Sequence, residues 1–181
     1  MITEITVPTD PDWPSRVRAR AHHIVSKHES CTQSIVAAFM EELGIDDPLV
    51  LRAAGAMHGG MLSSLTCGVV SGGMMVLGLL MGRENLEEGL DGLFPVVVPS
   101  QDLVARLQKR LGSTSCKEIS GVDFTDLEAA MKFISSGENA QCFDHVAAGA
   151  EEIARFLQER SEKGELFRTD TEKTPRAVGK G

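Results

Sequence analysis

The chain has 181 residues, of which 42% are hydrophobic, 24% are charged and only 4% are aromatic, and its formal net charge is −8 at pH 7. A chain of this length is expected to form one domain with its own core. The scarcity of aromatic residues favours packed helices over a β-sandwich. An acidic surface repels phosphate backbones, so the composition argues against nucleic-acid binding.

The first segment, residues 1–12, is predicted to form a flexible arm because it is acidic and contains two prolines. It lacks the basic start and apolar core of a secretory signal, so a cytoplasmic location is the expectation. At the other end, residues 161–181 are polar and charged. They are predicted to form a disordered tail, which leaves residues 13–160 as the folded domain.

Between these ends, apolar periodicity, capping residues and glycines predict a series of helices. The predicted ranges are 14–27, 31–43, 46–57, 67–82, 100–112, 123–137 and 142–160. Residues 83–99 are interpreted as a linker with a short extended piece at 96–98. The sequence therefore predicts an all-α, single-domain bundle of six or seven helices.

The stretch SSLTCGVVSGGMMVLGLLMG at 63–82 carries no charge and is long enough to suggest a membrane span. The polar residues before it and its five glycines argue against insertion. We interpret it as the central helix of the bundle, with neighbours on all sides. Its glycines let another backbone, a bulky cofactor or a second copy of the chain approach closely, so a homodimer is one expectation.

Four cysteines, Cys31, Cys67, Cys116 and Cys142, occur without any CxxC pair, which excludes zinc-ribbon and thioredoxin-type motifs. Cys31 and Cys116 each follow a Ser that has Gln or Glu three residues later, which is a capping-box pattern. Thr66 can cap the helix that begins with Cys67, and Asn139 can cap the helix that carries Cys142 in its first turn. All four thiols are therefore predicted to lie at helix N-termini.

This placement predicts the chemistry of the thiols. The N-terminus of a helix favours an anion, so the thiol pKa values are expected to be lowered. Four such thiolates suit a cationic metal or an iron–sulfur cluster, whose sulfurs the free backbone N–H groups can hydrogen-bond. Two other interpretations stay open at this point: reversible disulfides, with three ways to pair four cysteines, and four inert, buried thiols.

Two histidines are candidates for additional metal ligands. His145 lies three residues after Cys142, and His58 precedes the Gly59-Gly60 pair. An ordinary surface or core role is the alternative for both. We find no Ser–His–Asp arrangement and no phosphate-binding loop, so the sequence points to a redox protein rather than to an enzyme.

Four segments carry a resemblance to a known family: SCTQSIVAAFMEELG, GGMLSSLTCGVVSGGMMVLGLLMG, LGSTSCKEISG and the helix of Cys142. Over residues 19–156 the chain resembles the redox-active protein family named for its cysteine pattern, C_GCAxxG_C_C. It departs from that pattern at the second cysteine. Where the pattern has Gly-Cys-Ala, this chain has Thr66, Cys67 and Gly68, and Gly72 comes one place later than the pattern implies.

The family is similar, in turn, to a domain of the split-Soret cytochromes. That likeness implies an iron–sulfur site, a [2Fe-2S] cluster held by Cys31, Cys67, Cys116 and Cys142, that exchanges electrons with a donor or acceptor protein. The chain has no CxxCH motif, so covalent haem is not expected. The alternative function is a metal-free thiol–disulfide redox protein or sensor.

Overall fold

In the computed structural model, which describes residues 5–166, the chain folds into eight α-helices and no strand. The helices are α1 (Trp13–His28), α2 (Cys31–Leu43), α3 (Pro48–Ala54), α4 (Gly68–Met81), α5 (Gly89–Leu111), α6 (Cys116–Ser120), α7 (Leu127–Ser135) and α8 (Ala140–Glu162). Two short turns, Gly60–Ser64 and Leu86–Glu88, precede α4 and α5. The predicted all-α fold is confirmed. The helix start that the capping pattern predicted at Cys116 is that of the short helix α6, which the seven predicted ranges did not include.

The first helix shows how the apolar pattern builds the core. Four of its five buried residues are spaced four apart, at Trp13, Val17, Ala21 and Val25, so they form one stripe along α1. The rings of Trp13 and of Phe39 on α2 pack in a T-shaped arrangement, with 5.8 Å between their centroids. The same stripe packs against α8, so the buried side chains of α1, α2 and α8 belong to one core.

The glycine-rich helix α4 lies at the centre, in contact with α2, α5 and α8. It is only 14 residues long. No helix in residues 5–166 is long and apolar enough to cross a membrane.

The predicted linker was wrong, because α5 covers most of residues 83–99 as helix and includes the piece at 96–98. Pro95 and Pro99 lie inside this helix. Each proline removes one backbone N–H and frees a carbonyl one turn earlier. Proline is unfavourable in a helix interior, but Asp91 and Pro95, whose carbonyls are freed, are exposed, so water can bind them.

Parts of both terminal segments pack onto the bundle. Val7 is buried in the core, and the Gln158 Nε2 of α8 donates to the carbonyl oxygens of Pro8 and Asp10, both at 2.9 Å. At the other end α8 continues through Glu162, and Leu166 is buried. Residues 1–4 of the predicted arm and 167–181 of the predicted tail lie outside the described residues.

The glycines of α4 allow a matched test of its central position. A Cβ at Gly72 would lie 2.9 Å from Ile35 Cβ and 3.1 Å from the carbonyl oxygen of Thr32, whereas a Cβ at Gly78 would meet nothing within 4 Å. We expect Gly72→Ala to destabilise the protein by about 1–2 kcal/mol, since overpacking outweighs the gain in helix propensity. Gly78→Ala should stabilise it by up to about 1 kcal/mol. Urea unfolding of the two variants measures both, and equal effects would contradict the central packing of α4.

Candidate cysteine site

The four cysteines lie at the starts of four helices, as the sequence predicted. Cys31 is the first residue of α2, Cys116 is the first of α6, and Cys142 is the third of α8. Cys67 is itself the N-cap residue of α4. The predicted cap, Thr66, therefore lies one residue too early.

Only one of the predicted caps forms as expected. The Ser115 hydroxyl accepts a hydrogen bond from the Glu118 N–H at 3.3 Å at the start of α6. At the start of α2 the predicted capping box is wrong. The Ser30 side chain makes no capping bond, and the Gln33 amide instead donates to the carbonyl oxygen of Leu51 at 3.0 Å.

The start of α8 is tied to the end of α1. Asn139 precedes α8 but its side chain does not cap the helix; its amide donates to Glu29 Oε1 at 3.3 Å. Glu29 is the residue that follows α1 and comes two residues before Cys31. This contact holds the helix start that carries Cys142 near the helix start that carries Cys31.

A short antiparallel bridge joins the starts of α4 and α6. Thr66 pairs with Ser115. The Cys67 N–H donates to the carbonyl oxygen of Thr114 at 2.8 Å, and the Cys116 N–H donates to that of Leu65 at 2.6 Å. Because side chains alternate between the two faces of paired strands, Cys67 and Cys116 leave the bridge on the same face.

Gly68 brings the starts of α2 and α4 together. A Cβ at this position would overlap Cys31 Sγ and would lie 2.6 Å from Thr32 Oγ1. The glycine that replaces the alanine of the Gly-Cys-Ala pattern therefore leaves the space that the first thiol occupies.

All four thiols are free, and burial differs among them: Cys67 and Cys116 are buried, and Cys31 and Cys142 are half-buried. Burial raises the pKa of Cys67 and of Cys142 to about 12 and that of Cys116 to about 11, and the charges of neighbouring thiolates add to each increase. The expectation of lowered pKa values is wrong for these three. Desolvation of the thiolate raises the pKa more than the helix N-terminus lowers it. At Cys67 the backbone N–H groups of Val69 and Val70 lower the pKa, but burial has the larger effect.

Each thiol lies near enough to the other three for charge on one to raise the pKa of another. A charge on Cys31 raises the pKa of Cys67, Cys116 and Cys142. Charges on the remaining three thiols interact with one another in the same way. In the part of the chain that the structure describes, however, no group of three or more His, Cys, Asp and Glu side chains has the arrangement of a site for a metal ion. The four thiols therefore lie near one another, but they are not arranged around one centre as the ligands of a single metal ion would be.

The two candidate histidines have similar surroundings. The Nδ1 atom of His58 lies 2.8 Å from the carbonyl oxygen of Gly55, and that of His145 lies 2.8 Å from the carbonyl oxygen of Gln141. Such a hydrogen bond fixes the orientation of the ring, so that Nε2 is the nitrogen that could bind a metal. Histidine ligands in metal sites are often oriented in this way. Neither histidine completes a ready three-ligand group within residues 5–166.

A left-handed turn beside the site was missed by the sequence analysis. Four consecutive residues, 59–62, have φ between 51° and 61°, and two of them, Met61 and Leu62, are not glycine. A left-handed conformation costs a residue with a side chain about 1–2 kcal/mol. The turn packs against the site, since a Cβ at Gly60 would lie 2.7 Å from Cys116 Cβ. Only the Gly59-Gly60 pair could have indicated it.

The raised thiol pKa values make stability fall at alkaline pH. Unfolded thiols have a pKa near 8.5, so between about pH 8.5 and 11 the unfolded chain has lost protons that the folded chain keeps. The stabilisation is complete below the unfolded pKa and is lost as the pH rises towards 11–12. The chain has no Tyr to add its own titration in this range.

We expect the urea midpoint to stay constant between about pH 6 and 8 and to fall by about pH 10. Circular dichroism measures the midpoint, and the Cys67→Ala/Cys142→Ala double variant is the control. The fall should be smaller in that variant, because two of the three shifted groups are gone. An equal fall in both proteins would contradict the pKa assignments.

The fold and the site define an all-α protein in which four helix starts gather four free thiols. The chain belongs to the family described as "Putative redox-active protein (C_GCAxxG_C_C)", whose model matches residues 29–156 and so includes all four cysteines. The resemblance seen in the sequence is confirmed. No curated protein and no solved structure matches the chain.

Proposed function

We propose that the four cysteines hold an iron–sulfur cluster, a [2Fe-2S] cluster in the first instance, and that the protein transfers electrons. The observation that carries this proposal is the mutual proximity of all four thiols at four helix starts. Four cysteine sulfurs are the ligand set of [2Fe-2S] and [4Fe-4S] clusters. Membership of a family described as redox-active supports the same chemistry.

The ligand arrangement that a two-iron cluster accepts is wider than that of a single ion. A tetrahedral ion needs all four sulfurs about 2.3 Å from one centre. No ready group of even three ligands is present in residues 5–166. A two-iron cluster divides its four ligands between two irons, so its sulfurs can stand further apart while remaining in one neighbourhood.

Hydrogen-bond donors at the site also fit sulfur ligands. The N–H groups of Val69 and Val70 favour the thiolate form of Cys67. Among the described residues, the buried Ser30 hydroxyl, directly before Cys31, has no hydrogen-bond partner. An unpaired buried donor is costly, and a thiolate or cluster sulfur would accept a hydrogen bond from it. Such bonds stabilise added negative charge and tune the reduction potential.

When bound, the cluster supplies one-electron redox chemistry. The chain's own residues ligate it through Cys31, Cys67, Cys116 and Cys142, release the thiol protons on binding, and keep water away from the buried Cys67 and Cys116. A separate donor or acceptor protein supplies or removes the electron. A cytoplasmic location and the participation of His58 or His145 stay predictions.

Anaerobic purification followed by iron and sulfide analysis tests the proposal. We expect about two irons and two sulfides per chain, with visible absorption that bleaches on reduction. A colourless protein that stays without iron and sulfide after reconstitution would sink the proposal.

The free thiols favour a second candidate, a metal-free redox protein. Two neighbouring thiols can form one disulfide with release of two protons and two electrons to a two-electron acceptor such as a disulfide or peroxide. Mass spectrometry after mild oxidation should then show the loss of about two or four mass units, reversed by a thiol reductant. Four thiols that resist mild oxidation in the iron-free protein would exclude this candidate.

A further inference from the structure

The first half of α5 carries an apolar stripe that the described part of the chain does not cover. Leu90, Phe94 and Val98 follow one another at four-residue intervals, and their exposed fractions are 64%, 61% and 58%. Residues four apart lie on one helix face, so these side chains are contiguous. Leu93 widens the stripe on one side, and Leu86 of the preceding turn is 77% exposed.

Most of this half of the helix lies outside the core, and of its valines the partly buried Val96 packs against the core. Between residues 89 and 99 only Gly92 and Pro99 are buried, whereas Leu103 and Leu107 further along the same helix are fully buried. A stripe of large apolar side chains in water is unusual for a monomer and marks an interaction surface.

The charges around the stripe limit its partners. From residue 84 to residue 105 the chain has five acidic residues and no Lys, Arg or His. Two cations from outside this range approach it: Arg83 donates to the carbonyl oxygen of Gly89, and Arg160 pairs with Asp102, so the acidic residues remain in excess. Acidic flanks disfavour an anionic lipid surface and a nucleic acid. On the helical wheel Asp91 lies at the edge of the stripe, about a quarter turn from its centre, so its carboxylate stays in water when the stripe is covered.

The size and composition of the stripe fit a second copy of the chain. Residues 92–99, GLFPVVVP, contain no polar side chain, so the surface offers nothing that selects a polar partner. Exposed fractions of this size correspond to roughly 500 Å² per chain, and a symmetric pair would bury about 1,000 Å², which is the lower limit of specific interfaces. A two-fold axis places the same patch on both sides of the contact.

We propose that two copies of the chain pair through this α5 stripe, Leu90, Leu93, Phe94 and Val98, about a two-fold axis. The surface differs from the glycine-rich face of α4 that the sequence suggested for a dimer. Gly72 and Gly73 of that face already pack against Ile35 and Ile153 of the same chain. The inference does not depend on the proposed iron–sulfur function.

Sedimentation of the full chain tests the pairing. We expect the wild type to sediment at twice the 19.5 kDa of one chain at tens of micromolar. Phe94→Glu and Val98→Glu should each weaken dimerisation at least about 100-fold, because a carboxylate would be buried at the contact. Circular dichroism confirms folding, which both exposed sites should tolerate.

The matched control is Leu127→Glu, which places the same charge on an apolar side chain that is 74% exposed on α7. This variant should dimerise like the wild type. A wild type that stays monomeric at about 100 µM, or dimers that survive Phe94→Glu and Val98→Glu, would overturn the proposal. Loss of the dimer in Leu127→Glu alone would move the interface to α7 and overturn it as well.

Discussion

Replacing Cys67 with Ser is expected to weaken iron binding at least about 100-fold, since even the loss of a residue that only supports a ligand costs 10–100-fold. Cys67 is the ligand candidate with the least exposure, at 6%. Cys67 is also the N-cap residue of α4, and it lies next to the bridge by which Thr66 pairs with Ser115, the residue before α6. Serine has a similar shape and replaces the thiol by a hydroxyl, which does not ionise near neutral pH. Iron and sulfide per chain after anaerobic reconstitution measure the effect.

The control for this variant is Thr66→Ser, one residue earlier, where the pairing with Ser115 uses only backbone atoms. That variant should bind iron like the wild type. Full iron content in Cys67→Ser would contradict ligation by this cysteine. In the metal-free alternative, the variant keeps three thiols, so mild oxidation should remove at most two mass units per chain.

Replacing Gly60 with Ala is expected to destabilise the protein by about 2–4 kcal/mol, the sum of two costs. Gly60 has φ of +61°, which an alanine adopts only with strain. Its Cβ would also lie 2.5 Å from the Leu65 backbone nitrogen and 2.7 Å from Cys116 Cβ, so backbone must move. Because Leu65 and Cys116 are hydrogen-bonded to each other, the shift should disturb the cysteine site too.

Gly121→Ala separates these two costs. Gly121 ends α6 with φ of +75°, and a Cβ there would meet nothing within 4 Å. This variant carries only the backbone cost of about 1–2 kcal/mol. Urea unfolding at pH 7 compares the two proteins. If Gly60→Ala loses no more stability than Gly121→Ala, the left-handed turn does not pack against the site as the structure has it.

Local patterns predicted most of the helices because capping residues, glycines and apolar periodicity act over one or two turns. Gly44 ends α2 with φ of +68°, as its place after an apolar stripe indicated. The prediction that all four cysteines lie at helix starts came from the same short-range signals, and it holds although only the Ser115 cap forms as predicted. The helix through Pro95 and Pro99 escaped them, because a proline lowers helix propensity without forbidding a helix whose freed carbonyls reach water.

By itself, the sequence determined the all-α class, the central glycine-rich helix and the position of each cysteine at a helix start, since these depend on neighbours along the chain. Only the tertiary structure decided how those helix starts meet. The bridge between Thr66 and Ser115 and the space at Gly68 bring the thiols together. The same packing removes water from Cys67, and desolvation, which depends on the whole fold, raises a pKa that the helix start alone would lower.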